Sequence, residues 1–270
     1  MSLLGFQRVL SAFAASPDLV RAVRAEGEAA LAEFDLTPVE LRRAVAAAKQ
    51  AGMVINCGLH RTNRINSILE MLPLTIFVIG NEVRRMADLF WTDYPNPDFT
   101  TRRELHRFAG WLRERIADGT FPSPYLREVV DYEMHLYDLG MAPRKRLAAE
   151  AAEADARWPD GPLVLHPLTR LARFRHDSAA LLKRLRERAP LPYADLAEEE
   201  HYLLLDRRGE GRTLPLEVEY GRALAALEDG AAEVDAERLA EMHAAGFLVH
   251  AAPAPASVAH AAEPALATVA

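Results

Sequence analysis

HYLLLDRRGEGRTLPLEV, residues 201–218, reads as two short strands, HYLLLDRR and TLPLEV, joined by the turn GEGR with Gly209 and Gly211 supplying the reversal. That hairpin separates an α+β chain from an all-helical one. Upstream of it, LVLH (163–166) and RLARFRH (170–176) are short strand-like runs, the second alternating Leu171, Arg173 and Arg175 against Ala172, Phe174 and His176. A basic helix from Ser178 to Arg188 follows them, and EYGRALAALEDG (219–230) and AERLAEMHAAG (236–246) read as helices closed by Gly230 and Gly246. Residues 162–250 are therefore expected to form a small α/β module resembling a winged-helix or peptide-recognition element.

The first half reads differently. Its apolar residues recur at three- and four-residue intervals, as in Leu19, Val23, Leu31 and Phe34, which places them on helix faces. In LTPVE, Thr37 can cap a helix, Pro38 suits its first position and Glu40 completes a capping box. HRTNRINSILEML (60–72) stacks Ile65, Ile68, Leu69 and Leu72 on one face before Pro73. WTDYPNPDF (91–99) is expected as an aromatic loop, after which Thr101 and Glu104 make a second capping box. The helix YLREVVDYEMHLYDLG closes at Gly140. The domains expected are a helical one over 1–143, a linker over 144–161 ending in WPDGP, the α/β module over 162–250, and a disordered Ala/Pro-rich tail over 251–270.

Composition limits what the chain can do. With 270 residues, 50% of them apolar and 26% charged, it is ordinary globular composition. A formal charge of −7 argues against a nucleic-acid backbone binder, since phosphate contacts need a basic surface. The apolar stretch from Met71 to Gly80 is far short of the roughly 20 residues a bilayer span needs. Cys57, the 1 cysteine, rules out an internal disulfide and fits a reducing compartment, so a cytoplasmic location is expected.

Signatures of catalysis are sparse. There is no HExxH, no histidine pair at i, i+4, no GxGxxG and no P-loop, so no metal site, cofactor or catalytic residue is expected. Glu198 and His201 have the Glu-x-x-His spacing, but at the start of a strand. Cys57 in its apolar stretch reads as packed core rather than as a nucleophile. Two groups stand out as surface features. His60, Arg61, Asn63 and Arg64 form either a solvated helix face or a patch that grips a peptide or subunit through arginine's fork of donors. Trp91, Tyr94 and Phe99 either clamp their loop or meet a partner.

The order of NRINSILEMLPLT (63–75), YPNPDFTTRRELHRFAGWLRER (94–115), PYLREVVDYEMHLYDL (124–139) and EYGRALAALEDG (219–230) resembles the partner proteins of multinuclear non-haem iron oxidative enzymes in ribosomal peptide natural-product biosynthesis, of the kind found in methanobactin pathways. The resemblance covers most of residues 55–250. It implies a non-catalytic subunit with no metal of its own, the iron lying in the partner enzyme, that binds a precursor (leader) peptide and presents it for modification. The helical half, through His60, Arg61, Asn63, Arg64, Trp91, Tyr94 and Phe99, would then dock the enzyme. The peptide would add as a strand along Arg170 to Arg175 or His201 to Asp206, with Arg170, Leu171, Phe174, His201, Tyr202, Leu204 and Asp206 as contacts and the basic helix attracting an acidic leader. Neither nucleic acid nor membrane is expected as a partner. Two other readings compete. SPDLVRAVRAEGEAALAEFDLTPVELRRA (16–44) is similar to the helical small subunit of ring-cleaving dioxygenases, suggesting a metal-dependent oxygenase subunit. A winged-helix regulator would also use a small hairpin module, though the acidic C-terminal half and the lack of an arginine-rich recognition helix oppose it.

Overall fold

A computed structural model describes residues 3–95, 100–189, 191, 196–231 and 235–252. Phe99 and the tail from 253 onward, both named above, lie outside the described residues. The chain is α+β, with helices through the N-terminal part and a small sheet region in the C-terminal part. The helices α1 (Leu3–Ala15), α2 (Pro17–Glu26), α3 (Pro38–Lys49), α4 (Ala51–Met71), α5 (Pro73–Ile79), α6 (Val83–Asp93), α7 (Thr101–Ala117), α8 (Leu126–Met141) and α9 (Arg144–Arg157) come first. They are followed by β1 (Leu163–Leu165), β2 (Thr169–His176), α10 (Ser178–Arg186), β3 (Glu198–Asp206), β4 (Arg212–Leu216), α11 (Val218–Glu228), α12 (Ala236–Ala244) and β5 (Leu248–His250). Among the described residues no helix is long and apolar enough to cross a membrane.

Two expectations about organisation are corrected. Residues 144–157, read as linker, are helix α9, because RKRLAAEAAEADAR consists of strong helix formers and buries Ala151. The domains are also not consecutive. The chain forms one compact unit from residues up to Met141 with Ala172–Leu203, and a second from Ala142–Leu171 with residues from Leu204 on.

Within the first unit, α1 to α4 enclose Val9, Phe13, Val20, Val23, Leu31 and Cys57. The capping box at α3 forms as read: the Thr37 hydroxyl accepts the Glu40 N–H at 3.3 Å and the Glu40 carboxylate accepts the Thr37 N–H at 2.9 Å. Cys57 is packed core, its thiol donating to the Phe13 carbonyl at 2.8 Å while burial pushes its pKa up. A larger core joins α4 through α8, centred on Phe90, Phe108 and Trp111 with ring centroids 5.2 and 5.4 Å from Phe90. Such aromatic pairs add about 1 kcal/mol each beyond their buried area. Trp91 belongs to α6 rather than to a loop, and the helix continues to Asp93, which accepts the Trp111 indole N–H at 2.7 Å.

Buried carboxylates fix how these helices meet. Pro73 opens α5 without an N–H to lose, and the next two, on Leu74 and Thr75, donate to Glu133 of α8 at 2.8 and 2.6 Å. On α7 the expected cap is displaced by one residue: Thr100, not Thr101, accepts the Arg103 N–H at 3.2 Å. Glu104 is thereby released from capping and forms a buried ion pair with Arg64 of α4.

In the second unit β1 and β5 pair antiparallel, with Val164 opposite Val249. Gly161 makes that approach possible, since a Cβ there would lie 2.3 Å from the Ala251 carbonyl oxygen. A separate three-stranded sheet, not confined to that unit, has the order β2-β3-β4, so β3 is its central strand.

The Arg64 pairing makes a prediction. Arg64→Ala leaves Glu104 buried and unpaired and should lower unfolding stability by about 3–5 kcal/mol, whereas Asn63→Ala on the exposed face should change it by less than about 0.5 kcal/mol. Urea denaturation of both variants checks this, and equal stabilities would remove the ion pair from its structural role.

Candidate functional site

A cationic cavity in the second unit is the arrangement best suited to hold a ligand. Helix α9 begins after Pro143 and brings Arg144, Lys145 and, one turn on, Ala148 to one side. Leu168, in the turn before β2, and Arg208, just after β3, complete the lining of a cavity of about 360 Å³. Arg144 reaches the hairpin by donating to the Gly209 carbonyl.

Arg208 is held from several directions. Its Nε donates to Asp206 Oδ1 at 2.9 Å, its Nη2 to Oδ2 at 3.2 Å and its Nη1 to the Ala245 carbonyl at 3.1 Å. The guanidinium also lies 4.2 Å from the centroid of the Phe247 ring. Gly246 makes room for it: φ is +75°, and a Cβ there would come within 2.6 Å of Arg208 Nη1. Asp206 is 2% exposed and takes a further bond from Arg212 at 3.0 Å. Burial opposes its charge, but the hydrogen bonds from the Arg208 side chain and backbone and from Arg212 prevail and bring its pKa down to about 2 from an ordinary 3.8. Nearby His166 is buried, and that burial together with the Arg208 charge lowers its pKa, keeping it neutral at pH 7. Its Nδ1 accepts the Leu168 N–H at 3.1 Å.

The residues expected to bind peptide fall into place differently. His201 to Asp206 belong to the central strand of their sheet, with β2 on one side and the shorter β4 on the other, and not to an edge strand. Tyr202, Leu204 and Asp206 are 8%, 0% and 2% exposed, so they are interior residues, and a proline at Leu204 would cost the fold. His201 faces Glu199 of its own strand at 3.7 Å. On β2, Leu171 and Phe174 are buried, Phe174 against Tyr132 at 5.9 Å between centroids. Arg170 donates to the Pro167 and Thr169 carbonyls at 3.1 and 2.6 Å. The Arg175 N–H and His176 Nδ1, the latter at 2.7 Å, both engage Glu128 of α8, so the end of β2 is already occupied. Asp206 alone of this set reaches the cavity, through Arg208.

Most of the described residues of the cluster expected to dock an enzyme are wholly or partly buried. Arg64 is buried, lies over the Phe90 ring at 5.2 Å and donates to the Pro95 carbonyl at 3.4 Å. Arg61 covers Trp91 at 4.9 Å and Arg107 covers Tyr94 at 5.5 Å. His60 is half-buried, and burial, then the Arg64 charge, lowers its pKa. Only Asn63 of the four α4 residues is exposed. The cations thus bind aromatic rings of their own unit that lie 13 to 30 positions away in the sequence, where no local pattern reveals the pairing.

No described protein family matches this sequence, and no curated protein does. The cavity residues escaped sequence reading because they come from positions 144, 168 and 208. Their one signal was charge at two boundaries, Arg144-Lys145-Arg146 after Pro143 and Arg207-Arg208 before the hairpin turn.

Asp206 gives the site a testable pH signature. Its folded-state pKa lies below the unfolded one, so its contribution is complete above about pH 4 and is lost as pH falls towards about 2. Asp206→Asn should cost about 2 kcal/mol at pH 7 but only about 1 kcal/mol at pH 3, measured by denaturant titration at both. A deficit independent of pH would assign the effect to packing instead.

Proposed function

We propose that this chain is a non-catalytic cytoplasmic partner subunit that captures an acidic, extended segment of a ribosomally made precursor peptide and presents it to a multinuclear non-haem iron oxidative enzyme. The observation that carries the reading is the cavity that Arg144, Lys145 and Arg208 line together with the hydrophobic side chain of Leu168. Three cations beside two apolar side chains, Ala148 and Leu168, suit a carboxylate-bearing peptide side chain. The enzyme and the precursor enter through the resemblance of the helical and C-terminal segments described above.

Strand addition moves to β4 on this reading. It is the outer strand beside β3, and its residues Arg212, Thr213 and Pro215 are exposed. Pro215 removes one donor from that edge, so main-chain pairing is short and side-chain capture by the cations carries more of the affinity. Tethering by the captured segment raises the concentration of the modified part at the enzyme to about the millimolar range. Enzyme docking likewise moves along α4, from its inward arginines to the exposed apolar pair Ile55 and Leu59, four residues apart and 64% and 58% exposed.

Fluorescence anisotropy with a labelled glutamate-rich peptide tests the cavity. The double variant Arg144→Ser, Lys145→Ser should bind about tenfold more weakly than the wild type, and added salt should weaken the wild type towards the variant. Equal affinities for wild type and variant would remove the cavity from peptide capture.

A further inference from the structure

In the second unit Asp155 meets two histidines from about ninety positions further along the chain. Asp155 lies in the last turn of α9, His243 in the last turn of α12, and His250 ends β5. One ligating atom from each lies within 4.8 Å of the other two. Asp155 Oδ1 is 2.9 Å from His243 Nε2 and accepts the His250 backbone N–H at 2.8 Å. The two imidazoles stand edge to face with centroids 4.6 Å apart. His250 Nδ1 is 2.7 Å from the Gly161 carbonyl oxygen. A carbonyl can only accept, so Nδ1 carries the proton there, and a neutral His250 keeps its lone pair on Nε2. Metal-binding histidines are oriented in this way, by donating the other ring N–H to a carbonyl or carboxylate. Gly161, held close to the Ala251 carbonyl, is itself fixed in place.

We propose that Asp155, His243 and His250 form a binding site for a divalent late first-row transition-metal cation, with zinc as the tightest common occupant. Two imidazoles and one carboxylate are the donors such ions prefer, whereas calcium requires six to eight oxygens. Metal–ligand bonds of about 2.0–2.2 Å place tetrahedral ligand atoms about 3.3 Å apart, so movements of about 1–2 Å bring the three onto one ion. The ion takes the place of the proton shared between His243 and Asp155. All three side chains are half-buried, which leaves a further coordination position open to water. The alternative is a hydrogen-bonded clasp in which Asp155 simply accepts from His243. A clasp uses one imidazole, and it gives no role to the lone pair of His250. Bound metal would tie α9, α12 and β5 together and stabilise the second unit by mass action. The inference is independent of peptide capture, whose cavity shares no residue with this cluster.

Zinc titration of the full-length chain against a chromophoric chelator at near-neutral pH tests it. The wild type should bind one equivalent saturably and gain thermal stability with zinc. His243→Gln keeps a donor at the Nε2 position and His250→Asn keeps one at the Nδ1 position, so both preserve the clasp while removing a metal ligand; each should weaken zinc by at least about tenfold. Asp155→Asn should do the same, and His106→Gln, on α7, should leave zinc binding unchanged. Absence of a saturable equivalent in the wild type, or undiminished zinc binding by the folded variants, overturns the site. Should a variant not fold, the wild-type histidine ring resonances decide: His243 and His250 must shift together with zinc, and shifts confined to other histidines overturn it.

Discussion

A guanidinium buried between two helices is the constraint around which the first unit is arranged. Arg64 and Glu104 are 8% and 5% exposed, and neither charge can be withdrawn from water unless the other is present. Burial lowers the Arg64 pKa, opposed by the Glu104 carboxylate bonded to it. The pair therefore fixes where α4 lies along α7. With Glu104 committed to Arg64, the capping box that TTRRE suggests cannot close, and Thr100 caps α7 alone. Phe90, beneath Arg64, connects the same pair to the aromatic core of Phe108 and Trp111.

The two buried carboxylates of α8 obey the same rule with different partners. Among the described residues Glu133 is ion-paired with no cation; its oxygens accept the first free N–H groups of α5, so the positive end of a helix replaces a side-chain charge. Glu128 is answered by His176, whose ring packs edge-on against Tyr125 at 4.7 Å. Burial raises the pKa of both acids in spite of these bonds. They specify which helix ends meet which strand more than they add to stability, because desolvation offsets much of what the hydrogen bonds contribute.

What the sequence made legible is what is local. Thr37, Pro38 and Glu40 are near neighbours, and the α3 cap forms as they indicate. The stripe Ile65, Ile68 and Leu72 is one helix face, and the hairpin strands β3 and β4 follow from apolar runs on either side of a glycine turn. Pairings across long separations were not legible. Arg64 reads as a surface charge until Glu104, forty positions on, is brought beside it. The alanine- and arginine-rich run at 144–157 has the polar composition of a linker and the propensity of a helix; apolar contact at Ala151 decides for helix. Strand order is likewise invisible to periodicity, and placing β3 in the centre is what turns Leu204 and Asp206 from edge candidates into interior residues.

That central position explains how one carboxylate serves fold and site together. Asp206 ends β3 in the interior, where an uncompensated charge would be costly, so it draws in Arg208 and Arg212. Arg208 has five donors, and three go to Asp206 and Ala245 among the described residues. Its conformational freedom is therefore spent on folding rather than on binding, and an anion entering the cavity meets a guanidinium already oriented. Lys145 is exposed by comparison, and its ammonium on a long stem contributes charge without a fixed fork of donors. On the proposed reading, selectivity for shape would come from the Arg208 side of the cavity and long-range attraction from the α9 side, a division that follows from the burial of Asp206.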